Sequence, residues 1–239
     1  MNVLIVGYGK MGQTIEKILI ERGHNVVGIV DRNTDTKIED FDGDKVDIAI
    51  EFTQPSSAFN NISSCLKQGI KIVSGTTGWL DRRDEIEKLC ADKNGAFFYA
   101  SNFSLGVNLF FQLNKQLAEL MKPFNDYGVS MEEIHHTEKL DEPSGTAITL
   151  AEGIIEKYDN INDWYLEGEE RKNEAVGIKA LREPHVPGTH TIRYTSELDE
   201  IEIKHTAHTR TSFALGAVVA AEWAKDRQGI LSMDDMLKI

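Results

Sequence analysis

Apolar and polar positions change their spacing along this chain, and the change divides it in two. Over roughly the first hundred residues, short apolar runs alternate with segments whose apolar residues recur every three or four positions, the signature of successive βαβ units around a parallel sheet. The runs NVLIV, VVGIV, VDIAI, IKIVS and AFFYA predict five strands. Between the first two, KMGQTIEKILIER sets Met11, Ile15, Ile18 and Leu19 on one helical face. SAFNNISSCLKQG and LDRRDEIEKLCADKNG predict the later crossover helices, each stopped near a glycine.

From Leu105 the rhythm lengthens. LGVNLFFQLNKQLAELM predicts a longer helix, GVSMEEIHH a strand and SGTAITLAEGIIEKY a second helix. The polar stretch DNINDWYLEGEERKNEA reads as a loop with modest local structure. AVGIKAL, THTIRYT and DEIEIKHTAH follow as three β-like segments, and their short connections predict an antiparallel or mixed sheet. SFALGAVVAAEWAKD predicts a final long helix, and a short one closes the chain. No internal repeat, low-complexity tract or flexible linker interrupts the pattern.

Composition narrows the partners more than the fold. The chain has 239 residues, 41% of them hydrophobic, enough for one large domain or two modest ones. A net charge of −13 argues against nucleic acid or an anionic membrane as partner and requires local cations wherever an anion binds. No run of about 18 apolar residues occurs, and MNVLIVGYGKMG lacks the features of a signal peptide, so the expected location is the cytoplasm. Cys65 and Cys90, the two cysteines, read as buried thiols with no metal-ligand spacing.

Two constellations carry chemistry. In VLIVGYGKMGQTI, Gly7, Gly9 and Gly12 follow a strand and open a helix, the context that a dinucleotide fingerprint requires. Gly7 permits the tight turn, Gly9 lets the backbone approach a pyrophosphate, and Gly12 lets helix and strand pack closely, with Tyr8, Lys10 and Met11 completing the loop. Asp31, about 20 residues on at the end of the second strand, suits the ribose hydroxyls of NADH. Arg32 beside it suits the 2′-phosphate of NADPH, so either cofactor is expected. EFTQP and SGTTGW lie beyond the carboxyl ends of the third and fourth strands, where a doubly wound sheet binds ligands.

The second constellation is EEIHHTEKLDEPSGTA. Successive strand residues face opposite ways, so His135 and His136 should hold different jobs. Lys139 can swing back after a turn, and Ser144, Gly145 and Thr146 offer a capping hydroxyl and N–H groups at a helix start, a cradle for a carboxylate. Six of the seven histidines fall in this half, but adjacent histidines diverge and no carboxylate stands at ligand spacing, so no metal is expected.

The segment Glu133–Ala147 resembles the signature of dihydrodipicolinate reductases, and GYGKMG, EFT, SGTTGW, ASNFSLGVN, VPGTHT and HTAHTRTSFALGA occur in that family's order over nearly the whole chain. The resemblance implies an enzyme of lysine and diaminopimelate biosynthesis that reduces a cyclic imine dicarboxylate with NADH or NADPH. It assigns the general acid to His135, assistance in proton delivery to Lys139, and substrate carboxylate binding to His136, Gly145 and Thr146, beside which the capping Ser144 is counted with the substrate site. Cofactor contacts are implied at Phe52, Thr53, Gly75, Thr76, Thr77, Ala100, Ser101, Asn102 and Phe103, beside those of the glycine loop and Asp31–Arg32.

The implied organisation is a Rossmann-type doubly wound domain of residues 1–104 and 211–239, and an α+β substrate-binding and oligomerisation domain of residues 105–210. Hinges near Ser104 and Arg210 and a homotetramer complete it. The sequence departs from the family pattern at Glu51, at Glu142, at Glu183-Pro184-His185, and between Asn33 and Asp47, where a crossover helix is missing. Two other readings remain from the residues alone: a different two-domain amino- or imino-acid reductase, and a non-catalytic NAD(P)H-binding sensor. A sensor has no use for an acid beside a carboxylate cradle.

Overall fold

The structure, a computed structural model, describes residues 1–170, 172–209 and 211–238. Arg210, expected as the second hinge, lies outside them. The chain forms two compact units, Met1–Leu105 with Thr211–Ile239, and Gly106–Arg210.

The first unit is built on a sheet whose strands run β1 (Asn2–Val6), β2 (Asn25–Val30), β3 (Ile48–Glu51), β4 (Ile72–Ser74) and β5 (Ala96–Tyr99) along the chain. Helices α1 (Lys10–Glu21), α2 (Pro55–Lys67) and α3 (Arg83–Asp92) alternate with them. All pairings are parallel, so both faces must be covered, and the alternation of side chains shows how. Val3, Ile5, Ile48, Ile50, Val73 and Phe98 face α1 and the last long helix. Leu4, Val6, Ala49, Ile72 and Phe97 face Ala58, Ile62, Cys65 and Leu66 of α2 and Ile86 and Cys90 of α3. Both cysteines are buried and unpaired with each other, and burial pushes the Cys65 thiol far above its ordinary pKa.

Between β2 and β3 the chain makes only a single 3-10 turn, Ile38–Asp40, where the sequence pattern lacks a crossover helix. Phe41 then fills the space beside Gly28, at which a Cβ would lie 2.3 Å from the Phe41 ring.

In the second unit α4 (Leu105–Met121) leads into β6 (Gly128–His135), α5 (Gly145–Ile155), β7 (Asp163–Leu166), β8 (Ala175–Arg182), β9 (Gly188–Thr195) and β10 (Glu200–Ala207). The sheet order is β10-β9-β6-β8-β7, with β6, β7 and β8 parallel and β9 and β10 antiparallel, hence mixed. α4 and α5 cover one face through Phe110, Ala118, Leu150 and Ile154 against Met131, Ile178, Ile192 and Tyr194. β7 falls within the polar stretch expected as a loop. Its apolar part is only Trp164-Tyr165-Leu166 between acidic flanks, and edge pairing with β8 supplies what local pattern does not.

The chain then returns to the first unit as α6 (Thr211–Ala224), β11 (Gly229–Leu231) and α7 (Met233–Leu237). α6 buries Ala214, Gly216, Ala217, Val218, Ala220, Ala221 and Ala224, and these small side chains let it lie close against the sheet. Three-residue β11, also unforeseen, adds a parallel edge to β5. Among the described residues no helix is long and apolar enough to cross a membrane.

Candidate active site

In the first unit, the carboxyl ends of the strands are joined by backbone hydrogen bonds that fix the loops leaving them. Gly7 N–H donates to Val30 O (2.8 Å), Phe52 N–H to Val6 O (2.9 Å) and Gly75 N–H to Glu51 O (3.0 Å). Gly7 adopts φ +95°, and a Cβ there would meet Phe52 O at 2.1 Å. Gly12 lies as close to Gly7, since a Cβ on it would stand 2.1 Å from Gly7 O. At Gly9, by contrast, a Cβ would meet nothing within 4 Å: this glycine borders open space at the start of α1. A cavity of about 680 Å³ opens there, lined among others by Gly7, Tyr8, Gly9, Asp31, Arg32 and Thr53.

Asp31 accepts from Tyr8 N–H (3.0 Å) and from the backbone and side-chain amides of Asn33 (3.1 and 3.0 Å). These bonds, the Tyr8 amide foremost, hold its carboxyl below the usual range. Of roughly four acceptor positions on a carboxylate, three are engaged and one remains for a ligand hydroxyl. Arg32 is exposed beside it, and Lys10 and half-buried Met11 begin α1. The open glycine turn, the helix start and the ionised acceptor fit a dinucleotide.

Glu51 organises the neighbouring loops. It is fully buried, and one carboxylate oxygen accepts from Thr53 N–H (3.1 Å), the Thr53 hydroxyl and the Thr76 hydroxyl (2.8 Å), while the other accepts from the Ser74 hydroxyl (2.6 Å). Thr53 N–H also donates to Thr76 Oγ1 (2.8 Å), which binds the two loops to each other. Trp79, buried, donates its indole N–H to Thr76 O (2.7 Å), leaving Thr77 exposed at the loop tip. Glu51→Gln would turn an amide N–H₂ toward these donors. It is expected to destabilise the fold by about 1–3 kcal/mol and to weaken dinucleotide binding, as checked by urea unfolding and cofactor titration.

The fourth loop holds Ala100, Ser101, Asn102 and Phe103. Phe103 is buried, its ring 5.6 Å from Phe52 and 5.8 Å from Phe98, so it anchors the loop from inside. Ala100 is buried as well, and Ser101 is the exposed member. Gly75 completes the packing, since a Cβ on it would lie 2.2 Å from the Phe52 ring.

In the second unit, β6 presents Met131, Glu133 and His135 to the helix-covered face, so an apolar face turns polar toward the carboxyl end of the strand. Pairing with β9 puts Glu133 opposite His190, and pairing with β8 puts His135 opposite Arg182. Glu133, His135 and His190 are all buried, with nitrogen and oxygen atoms within 4.8 Å of one another. Glu133 Oε2 is 3.3 Å from His135 Nδ1 and 3.6 Å from His190 Nε2, and Oε1 accepts from Ser144 N–H (3.0 Å). Burial pushes the Glu133 carboxyl up, but His135, His190 and Ser144 together outweigh it and hold the group well below the usual range.

Ser144 caps α5, its hydroxyl accepting from Ala147 N–H (3.2 Å) and lying 3.3 Å from His190 Nε2. Its polar groups are thus engaged within the protein. Gly145 and Thr146, at the first two helical positions, have N–H groups with no acceptor inside the helix, and a Cβ on Gly145 would meet open space. His136, next along the chain, lines a pocket with Thr137, Glu138 and residues Pro184 to Pro187. Lys139 closes a turn by donating its N–H to His136 O (3.1 Å), and its ammonium is paired with both oxygens of Asp141 at 2.8 Å. Arg182 steadies this loop by donating to Asp141 O (2.8 Å). Glu142 is exposed.

Glu133, His190, Arg182, Trp79 and Gly216 did not stand out in the sequence. A period-2 reading from His135 points to Glu133, but His190 requires the strand register, which no local motif states.

Comparison with known proteins accords with this architecture. Residues 1–103 match the family described as dihydrodipicolinate reductase, N-terminus, and residues 106–237 its C-terminus. A curated 4-hydroxy-tetrahydrodipicolinate reductase of Christiangramia forsetii is 51% identical over 99% of this chain and 98% of its own. That of Oleidesulfovibrio alaskensis is 34% identical over 99% of each. The dipicolinate-bound dihydrodipicolinate reductase from Paenisporosarcina sp. TG-14 superimposes with a TM-score of 0.79 over 99% of each chain at 21% identity, a likeness of fold. With both halves matched in order and half its residues shared with a full-length relative, the chain belongs to the dihydrodipicolinate reductase family of NAD(P)H-dependent oxidoreductases.

Proposed function

We propose that the chain performs the 4-hydroxy-tetrahydrodipicolinate reductase reaction with His135 as proton donor. The observation that carries this reading is the buried Glu133–His135–His190 set at the end of β6, next to the start of α5, where Gly145 borders open space. Bound NADH or NADPH supplies the hydride. Gly7, Tyr8, Gly9, Lys10, Met11 and Gly12 hold its phosphates and Asp31 a ribose hydroxyl. Arg32 is positioned for a 2′-phosphate. Phe52, Thr53, Gly75, Thr76, Thr77 and the segment Ala100–Phe103 shape the nicotinamide side.

The substrate is a ring with two carboxylates, which an acidic protein must meet with local donors. Gly145 and Thr146 N–H groups receive one carboxylate at the positive end of α5, with Ser144 fixing that turn. His136 and Lys139 receive the other, and the Lys139 ammonium exchanges Asp141 for it. As negative charge develops on the ring, His135 delivers a proton and Lys139 offsets the charge. The division into a dinucleotide-binding unit and a substrate-binding unit belongs to the same reading, as do a cytoplasmic location and a homotetramer assembled through the second unit.

The test is direct. Purified protein should oxidise NADH or NADPH, read at 340 nm, only when the aldol product of pyruvate and aspartate semialdehyde is generated in the cuvette. Cofactor oxidation that ignores this substrate would overturn the assignment, and running both cofactors ranks them.

A further inference from the structure

We propose that Glu133 is a positioning residue that holds the proton donor by its Nδ1 side, and that Gly188 keeps the donor's Nε2 edge clear. The inference rests on the reading of His135 as donor.

The arrangement follows from strand geometry. Residues 133 and 135 share a face of β6, and register brings His190 of β9 opposite Glu133. The two imidazoles meet edge to face, with ring centroids 5.0 Å apart. A fully buried carboxylate is held by the donors and cations around it. The groups that face Glu133 are His135 on its own strand, His190 on β9, the Ser144 amide before α5, and Arg182 of β8, whose Nη1 is 3.7 Å from Oε1. Asp141 and Lys139, in the adjoining loop, act on it or on His190 through space.

Burial outweighs the pull of Glu133 on His190 and keeps that imidazole below its ordinary pKa. His135 stands nearer the carboxylate, 3.3 Å from Oε2 against 3.6 Å for His190. Its Nδ1 lies 3.3 Å from Glu133 Oε2, so the carboxylate takes that side of the ring and leaves Nε2 as the edge for a substrate. A Cβ on Gly188 would lie 3.1 Å from that Nε2. Gly188 is strand backbone with no positive φ, so the chain's conformation does not call for glycine, whereas space beside the imidazole does.

The experiment uses the full chain with Glu133→Gln, Glu133→Asp and Gly188→Ala. Each is read by kcat/KM against pH, by cofactor titration, and by ring signals of isotope-labelled histidines in the cofactor-free protein. Glu133→Gln should lower kcat about 10–100-fold, by analogy with the outer partners of metal-ligating histidines. It should also move the alkaline limb of kcat/KM to lower pH by roughly one unit, with cofactor affinity unchanged. The His135 ring signals should respond to pH in the same direction. An unmoved limb and unmoved ring signals overturn the role of Glu133, even if activity falls.

Should the glutamine variant not fold, Glu133→Asp decides, since it withdraws the charge from the imidazole: a downward move of the limb supports the proposal and a wild-type profile overturns it. Gly188→Ala should lower kcat with the limb in place, and wild-type kcat overturns that half. Stoichiometric zinc in the purified protein, with activity lost on chelation, would also overturn the proposal. Full activity in His135→Gln would remove the donor reading itself, whereas an inactive His135→Gln beside an unshifted Glu133→Gln removes only this inference.

Discussion

His135→Gln should lower kcat by about 10²–10⁴-fold, the usual contribution of a general acid, and leave the dissociation constants of NADH and NADPH within about a factor of two. The reasoning separates two units. The glycine turn, Asp31 and Glu51 lie in residues 1–105, whereas His135 is at the end of β6 in the second unit, so the substitution alters none of the residues assigned to the cofactor. Glutamine preserves much of the imidazole's bulk and hydrogen-bonding capacity but cannot hold a transferable proton near neutral pH. Lys139→Ala is expected to differ in kind. Its ammonium is partly exposed and already shared with Asp141, so it should raise KM along with lowering kcat. Initial rates at saturating cofactor, with fluorescence titration of cofactor binding, check both. If cofactor affinity falls in step with turnover, the division of labour between the units is wrong.

Gly216→Ala should be the most damaging single methyl added to the first unit. A Cβ at 216 would stand 1.7 Å from Phe103 O and 2.7 Å from Phe103 C, so backbone must move. Neither side gives easily: Gly216 is inside α6 among buried alanines, and Phe103 is locked between Phe52 and Phe98. Overpacking of this kind costs about 3 kcal/mol, or a fall of about 6–12 °C in melting temperature for a protein of this size. The movement would pass to Asn102 and Ser101 in the loop assigned to the nicotinamide, so cofactor binding should weaken as well. Calorimetry and cofactor titration of the variant check the two effects. A melting temperature within about 2 °C of the parent would show that α6 does not press on Phe103 as described.

The fold was legible wherever a segment's own pattern decides its state. Strands β1 to β5 of the parallel sheet and helices α1, α4, α5 and α6 declare themselves by period, because each is long enough or apolar enough to show a face. β7 and β11 do not. Each has three or four residues and exists because a neighbouring edge offers unpaired backbone, which is information held by β8 and β5.

The site divides in the same way. Gly7, Gly9, Asp31, His135, Lys139 and Gly145 stand in local motifs with mechanical reasons for their spacing. Glu133 lies within EEIHHTEKLDEPSGTA but reads there as an ordinary strand residue, and His190 reads as one of several scattered histidines. Their partnership depends on which residue of β9 lies opposite which of β6, and a one-residue slip would dissolve it. Ser144 was placed at the right helix end, yet its amide and hydroxyl turn inward to Glu133, His190 and Ala147, a choice set by packing beneath the turn.

The discontinuity of the first unit bears on how the protein is born. Its sheet is complete on one side only once α6 has covered Val3, Ile5, Ile50 and Val73, and α6 is encoded after the entire second unit. During synthesis, residues 106–209 can therefore finish folding while an apolar surface of the earlier module still waits for its lid from the segment that begins at Thr211. A ribosome that stalls or a message cut short before α6 yields a polypeptide with a finished second unit and a sticky, unfinished first one, a product fit for degradation and not for partial activity.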